Sequence, residues 1–112
     1  MRIVRELITL DELKAMAAAG FGTLVKAVVD VITGVMAVDG ELHADQEALL
    51  LEDGSSQRDL WGINLYLQQS GDEWIEYDSV INLRPSHGNA SRGVDDPKIR
   101  QKIREIVNQL VQ

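Results

Sequence analysis

Hydrophobic positions near the start of the chain change from strand-like to helix-like spacing. Residues 1–6 favour a short strand with Ile3 and Val4 as its apolar content. The apolar residues that follow recur at helical spacing, and they are Leu10, Leu13, Met16 and Ala17. Thr9 and Glu12 form a T-x-x-E capping box ahead of them, which predicts that a helix begins there.

The segments after this helix predict a β-hairpin. Residues 23–32 and 35–42 are rich in valine and other apolar residues, and Thr33–Gly34 makes a turn between them. Residues 44–53 can be interpreted in two ways. Alanine, leucine and glutamate favour a helix there, and Gly54 suits its C-terminal end, whereas a strand is the alternative.

The second half of the chain predicts two more strands and a final helix. Residues 59–68 resemble a strand that contains Gly62, and residues 74–84 form the next one. The apolar face of this last strand would carry Ile75, Tyr77, Ile81 and Leu83, and its polar face Glu76, Asp78, Asn82 and Arg84. Asp96 and Pro97 then start a helix. Its apolar stripe consists of Ile99, Ile103, Ile106, Val107 and Leu110.

These elements follow one another in the order β-α-β-β-α-β-β-α. A chain of 112 residues has the size of one domain. We therefore predict a single α+β domain over residues 1–112, with a mainly antiparallel sheet and helices packed on one face.

Charge is unevenly distributed, which narrows the classes of partner. The formal net charge of −7 argues against a general nucleic-acid binder, because such proteins neutralise phosphates. Residues 6–83 hold 15 acidic and 3 basic residues, whereas residues 84–112 hold 6 basic and 3 acidic ones. The basic segment is expected either to pack on the acidic body and partly neutralise it, or to form an anion-binding end.

The composition also bears on compartment and cofactors. Cysteine is absent, which excludes disulfides, a thiol nucleophile and cysteine metal sites. Charges return at Arg5 and Glu6, so residues 1–6 do not resemble a signal peptide, and no run of 18 apolar residues exists. We expect a soluble cytoplasmic protein without membrane association, and no cofactor is indicated.

The first candidate site is the polar segment that follows the predicted strand 74–84. Its polar side chains suit a phosphate or carboxylate ligand, and they are Arg84, Ser86, His87, Asn89, Ser91 and Arg92. We take Arg84, His87, Asn89 and Arg92 as the candidate ligand-binding residues. The alternative is a solvated connector in which an arginine serves as an anchor.

The second candidate site is an acidic segment around the first histidine. His43, Asp45 and Glu47, with Glu41 nearby, could hold a divalent metal, or His43 could act as a general base. The alternative is that the carboxylates only stabilise a helix N-terminus. A third arrangement would bring His43 and His87, the only histidines, together with Asp45.

The ordered run "KAVVDV … GELHADQEALLLEDGS … DLWGINLY … INLRPS … DPKIRQKIREIV" covers nearly the whole chain. It resembles a family of short stand-alone prokaryotic proteins catalogued only as a domain of unknown function. The resemblance implies a small single-domain protein and assigns no role to any residue.

The function that these features favour is binding rather than catalysis. The polar sheet face and the 84–93 loop would recognise an anionic ligand or a protein partner. The alternative is a small metal-dependent or acid–base hydrolase centred on His43 and Asp45. An antitoxin-like or regulatory protein is a third class, and a homodimer formed through sheet edges is a further expectation.

Overall fold

The computed structural model describes all 112 residues as one sheet flanked by three helices. In chain order the elements are β1 (Arg2–Val4), α1 (Leu10–Ala19), β2 (Leu24–Asp30), β3 (Met36–Val38), α2 (His43–Glu52), β4 (Leu60–Tyr66), β5 (Ile75–Glu76) and α3 (Pro97–Leu110). The strands lie in the order β1-β3-β2-β4-β5, and every neighbouring pair is antiparallel. The predicted α+β class and element order are confirmed.

One side of the sheet is covered by α1 and α3. Val25, Ala27 and Val29 alternate along β2 and point to this side, where they join a cluster of 18 buried residues. Leu13 of α1 and Ile103 of α3 belong to the same cluster, and both are fully buried. This layer is the main hydrophobic core.

The other side of the sheet is covered by α2, which corrects the prediction that all helices pack on one face. Val28 and Ala37 point away from the main core and form a second buried cluster with Leu50 of α2 and Leu60. Consecutive residues of a strand face opposite sides, so an unbroken run of apolar residues serves two layers. The valine-rich sequence of β2 therefore reflects burial on both faces.

The helix start signals are realised in the structure. Thr9 accepts a hydrogen bond from the N–H of Glu12, and the Glu12 carboxylate accepts one from the N–H of Thr9, which completes the capping box. Asp96 accepts a hydrogen bond from the N–H of Lys98, and Pro97 occupies the first position of α3. The uncertain segment 44–53 lies almost entirely in α2. None of the three helices is both long and apolar enough to span a membrane.

The predicted strand 74–84 is much shorter in the structure. Only Ile75 and Glu76 pair with β4, and a short 3-10 turn occupies Val80–Asn82. Ser79 accepts a hydrogen bond from the N–H of Ile81, which stabilises the turn. Leu83, predicted on the apolar face, is exposed. The chain thus leaves the sheet before the segment that the sequence singled out for binding.

Candidate functional site

Residues 79–93, called here the anchored loop, are fastened to the sheet through the side chain of Asn82. Its Oδ1 accepts a hydrogen bond from the N–H of Gly62 at 2.8 Å, and its Nδ2 donates to the carbonyl of Gly62 at 3.0 Å. Nδ2 also donates to the carbonyl of Arg92, at 2.9 Å. The buried Asn82 amide therefore makes the hydrogen bonds that the backbone N–H and carbonyl of Gly62 would otherwise make with a neighbouring strand.

Asn89 closes the anchored loop from inside. Its Nδ2 contacts three carbonyl oxygens, those of Asn82, Ser91 and Gly93, at 2.8 to 3.1 Å. Its Oδ1 accepts the N–H of Asp95 at 2.8 Å, and the residue is only 4% exposed. The polar atoms of Asn89 are therefore used inside the loop, although the sequence suggested Asn89 as a ligand-binding residue.

Arg84 holds the start of the loop against β4. Its guanidinium donates to the carbonyls of Ile81 at 3.2 Å, Arg58 at 3.1 Å and Leu60, and it stacks 4.3 Å from the ring centroid of Trp61. Burial lowers the pKa of Arg84, and the nearby Glu47 and Asp59 carboxylates partly offset this. An arginine stays protonated in any case, so the site contains a fixed, half-buried positive charge.

Arg92 and Asp95 stabilise the far end of the loop. The Nε of Arg92 lies 2.8 Å from Oδ1 of Asp78 in an ion pair. Asp95 accepts hydrogen bonds from the Ser91 hydroxyl and from the N–H of Ala90, and these bonds lower its pKa. Arg92 does not line the concavity that contains Arg84 and His87.

The concavity next to Arg84 has a volume of about 450 Å³ and four lining residues, Arg58, Trp61, Arg84 and His87. No carboxylate lines it. Arg58 forms an ion pair with the neighbouring Asp59, whose Oδ1 lies 3.7 Å from Nε of Arg58. The indole N–H of Trp61 is buried and has no hydrogen-bond partner. Two of the sequence-predicted residues, Arg84 and His87, therefore meet in one place.

Arg58 and Trp61 complete the concavity, and sequence reasoning missed both. Arg58 lies in the short turn Gln57–Asp59 that precedes β4, and Trp61 is the second residue of β4. The sequence does contain a weak signal for Arg58, because it is the only lysine or arginine between Lys26 and Arg84.

The structure does not bring the side chains of the acidic segment around His43 together into a group of three. The His43 ring lies under β4, where Nε2 is 2.8 Å from the carbonyl oxygen of Ile63. Burial is the main reason why its pKa is lowered, which favours the neutral ring. Asp45 is exposed at the start of α2, and burial raises the pKa of Glu47. No group of three or more histidine, cysteine, aspartate or glutamate side chains is arranged to hold a metal ion.

The fold and the concavity define a small α+β protein with a cationic surface depression beside an antiparallel sheet. The chain belongs to the family described as "Protein of unknown function (DUF5674)", whose model matches residues 2–110. Comparisons with curated proteins and with solved structures give no match. Family membership confirms the resemblance that the sequence showed.

Proposed function

We propose that the protein is a binding module whose concavity takes an oxyanion, either a phosphate or a carboxylate group. The observation that carries the proposal is the convergence of Arg58, Arg84 and His87 beside Trp61 without any carboxylate in the lining. In a chain with a net charge of −7, three such side chains around one depression form a local exception to the acidic surface.

Arg84 is preorganised for this role. Its planar group is stacked on Trp61 and fastened by three backbone carbonyls, so little side-chain entropy remains to be lost when a ligand binds. A guanidinium has five N–H groups, and three hydrogen bonds leave two of them for an anion. Arg58 is largely exposed and can add a second charge-assisted contact.

Binding has more support than hydrolysis at His43 and Asp45. A general base needs a ring nitrogen that a substrate can reach, and the His43 ring is buried under β4. Asp45 lies on the solvent side of α2, and His43 does not line the concavity. The oxyanion can be a free small molecule or an acidic side chain of a protein partner, since the recognising chemistry is the same.

The first test is a titration of the ¹⁵N-labelled protein with inorganic phosphate, followed through the indole N–H of Trp61 and the ring of His87. We expect saturable shifts at both groups. Arg58→Gln should weaken binding by roughly tenfold or more, because a hydrogen bond to a charged group contributes about 1.5–3 kcal/mol. Arg84 is left intact in this test, since its loss would release the loop.

The matched control is Arg92→Gln. Like Arg58→Gln it removes one positive charge, but it does so in the anchored loop, at the ion pair with Asp78. It should change phosphate affinity by less than about twofold, since distant surface charges are screened by salt. Equal losses in the two variants, or no saturable shift at Trp61 and His87 with either phosphate or acetate, would contradict the proposal. Saturation by acetate alone would assign the site to carboxylates.

A further inference from the structure

The outward surface of α3 is basic and is hardly neutralised by the rest of the chain. The helix carries one acidic residue, Glu105, and four basic ones, which are Lys98, Arg100, Lys102 and Arg104. All four basic side chains are exposed, with Lys98 and Lys102 on one side of the helix and Arg100 and Arg104 on the other. The one ion pair between α3 and the body joins Arg104 to Asp72 at a long 3.9 Å. The expectation that the acidic body partly neutralises residues 84–112 is met by that contact and by the ion pair between Arg92 and Asp78.

The surface around α2 has the opposite charge. Residues 39–53 contain no lysine or arginine and six acidic residues, which are Asp39, Glu41, Asp45, Glu47, Glu52 and Asp53. Asp45 and Glu52 are seven residues apart, so they share one side of the helix, and both are exposed. One of the six, Asp53, is paired, with Arg5 at 2.7 Å.

The two charged helices lie on opposite sides of the sheet. α2 packs through Leu50 onto Val28 and Ala37, whereas α3 packs through Ile103 and Val107 into the main core. The outward surface of α2 therefore faces away from that of α3. A surface of one copy cannot contact the complementary surface of the same copy, but it can contact that of a second copy.

We propose that the protein associates with itself head to tail, with the side of α3 that carries Lys98 and Lys102 in one copy against the side of α2 that carries Asp45 and Glu52 in the next. Opposite charges on the two faces give the contact its orientation and disfavour the like-charged α2–α2 and α3–α3 arrangements. A heterologous contact of this kind leaves one free face at each end, so copies add in a row instead of stopping at a dimer.

The contact competes with a dimer formed through sheet edges. The outer strands are short, with three residues in β1 and two in β5; Arg2 is the first residue of β1, and Arg5 directly follows it. Short and charged edge strands are poor templates for pairing with another chain. The exposed surfaces of α2 and α3 are larger than these strand edges, and their charges are complementary.

The association is expected to be weak and sensitive to salt. One helix face buries less than the roughly 800 Å² per partner that stable complexes use. The net charge of −7 on every copy opposes the contact, and dissolved salt screens the attraction between exposed groups. Self-association should therefore appear at high protein concentration and low ionic strength.

Sedimentation equilibrium of the whole chain tests this directly, in buffer without phosphate. At about 30 mM ionic strength the weight-average mass should rise above 12.4 kDa with protein concentration, and it should return to 12.4 kDa in about 500 mM NaCl. A mass of 12.4 kDa at every concentration in the low-salt buffer would overturn the proposal. So would a dimer that resists salt and grows no further.

Charge reversal identifies the faces. The variant Lys98→Glu/Lys102→Glu and the variant Asp45→Lys/Glu52→Lys should each remain monomeric alone, because both of their faces then have the same sign. An equimolar mixture of the two should associate, since each reversed face meets a complementary one. Far-UV circular dichroism confirms that each variant is folded. Association of either variant alone, or no recovery in the mixture, would contradict the assignment of the faces.

Discussion

At the scale of single residues, Asp30 shows how one buried carboxylate fixes two connections. It is 1% exposed at the end of β2, and its Oδ1 accepts the N–H groups of Ile32 at 2.9 Å and Thr33 at 3.0 Å. Its Oδ2 accepts the hydroxyl of Ser55 at 2.6 Å. Burial by itself raises the pKa of Asp30, but these hydrogen bonds outweigh burial and hold the pKa below its ordinary value.

The variant Asp30→Asn should lower the free energy of unfolding at pH 7 by about 1–2 kcal/mol, because hydrogen bonds to a charged acceptor are weakened. The folded-state pKa lies below the unfolded value of about 3.9, so this stabilisation is complete above about pH 5 and is lost as pH falls through the folded-state pKa. The difference from the parent chain should therefore shrink in acid. Urea denaturation at pH 7 and pH 3 measures it.

The control for Asp30→Asn is the variant Asp39→Asn, because Asp39 is an exposed aspartate with a φ of 61°. Asparagine tolerates this left-handed conformation, so the change should have little effect at either pH. A cost of Asp30→Asn that stays constant from pH 7 to pH 3 would mean that the ionised form is not what stabilises the fold.

At the scale of elements, Gly62 is the point where β4, α2 and the anchored loop meet. A Cβ placed on Gly62 would lie 2.5 Å from Cβ of Ser79, 2.6 Å from its Oγ and 3.2 Å from Cγ of His43. Ser79 belongs to the loop and His43 to α2, and both are buried. The glycine is needed here because two other elements approach the strand closely.

Gly62→Ala should destabilise the protein by about 1–3 kcal/mol, because the added methyl group overpacks a buried contact. Ser79→Gly removes the atoms that clash, so the double variant should lose less stability than the sum of the two single variants. Denaturant unfolding of all four proteins gives the coupling. Additive losses would contradict the proposed clash.

The elements that the sequence predicted are those with local signals. Thr9 with Glu12, and Asp96 with Pro97, start helices through contacts within four residues, so α1 and α3 were predicted with nearly correct starts. The strand predicted over residues 74–84 was wrong after Glu76, because the Asn82 amide bonds to Gly62, twenty residues away. A contact at that separation leaves no periodic trace in the sequence.

The candidate site was predictable to the same limited extent. Composition marked the 84–93 loop as polar and cationic, and Arg84 and His87 do line the concavity. The sequence could not show that Asn89 turns inward or that Arg92 pairs with Asp78, because both depend on how the loop folds back. Nor could it place Arg58 beside Arg84, since that contact crosses from one segment to another.

At the scale of the whole molecule, one sheet supports two hydrophobic layers of unequal size. The layer under α1 and α3 has 18 buried residues, and the layer under α2 has 4. β2 belongs to both, since Ala27 and Val29 face one layer and Val28 the other. The smaller layer cannot separate without exposing the back of the sheet, so the molecule should unfold as a unit.

Substitutions in each layer test this cooperativity. Leu50→Ala and Ile103→Ala each remove a fully buried side chain and should cost about 2–5 kcal/mol. In both variants, tryptophan fluorescence, which reports on Trp61 and Trp74 in the larger layer, should change at the same urea concentration as far-UV circular dichroism.

Leu51→Ala provides the matched control, because Leu51 is the next residue on α2 and is 40% exposed. Leu51→Ala should lower the free energy of unfolding by much less than Leu50→Ala does, since less apolar surface returns to water. If α2 were an independent unit, Leu50→Ala would lower helical signal at a urea concentration where the tryptophan signal is still native. Coincident transitions in both variants would instead show that the central strands, whose side chains face both layers, couple the two layers.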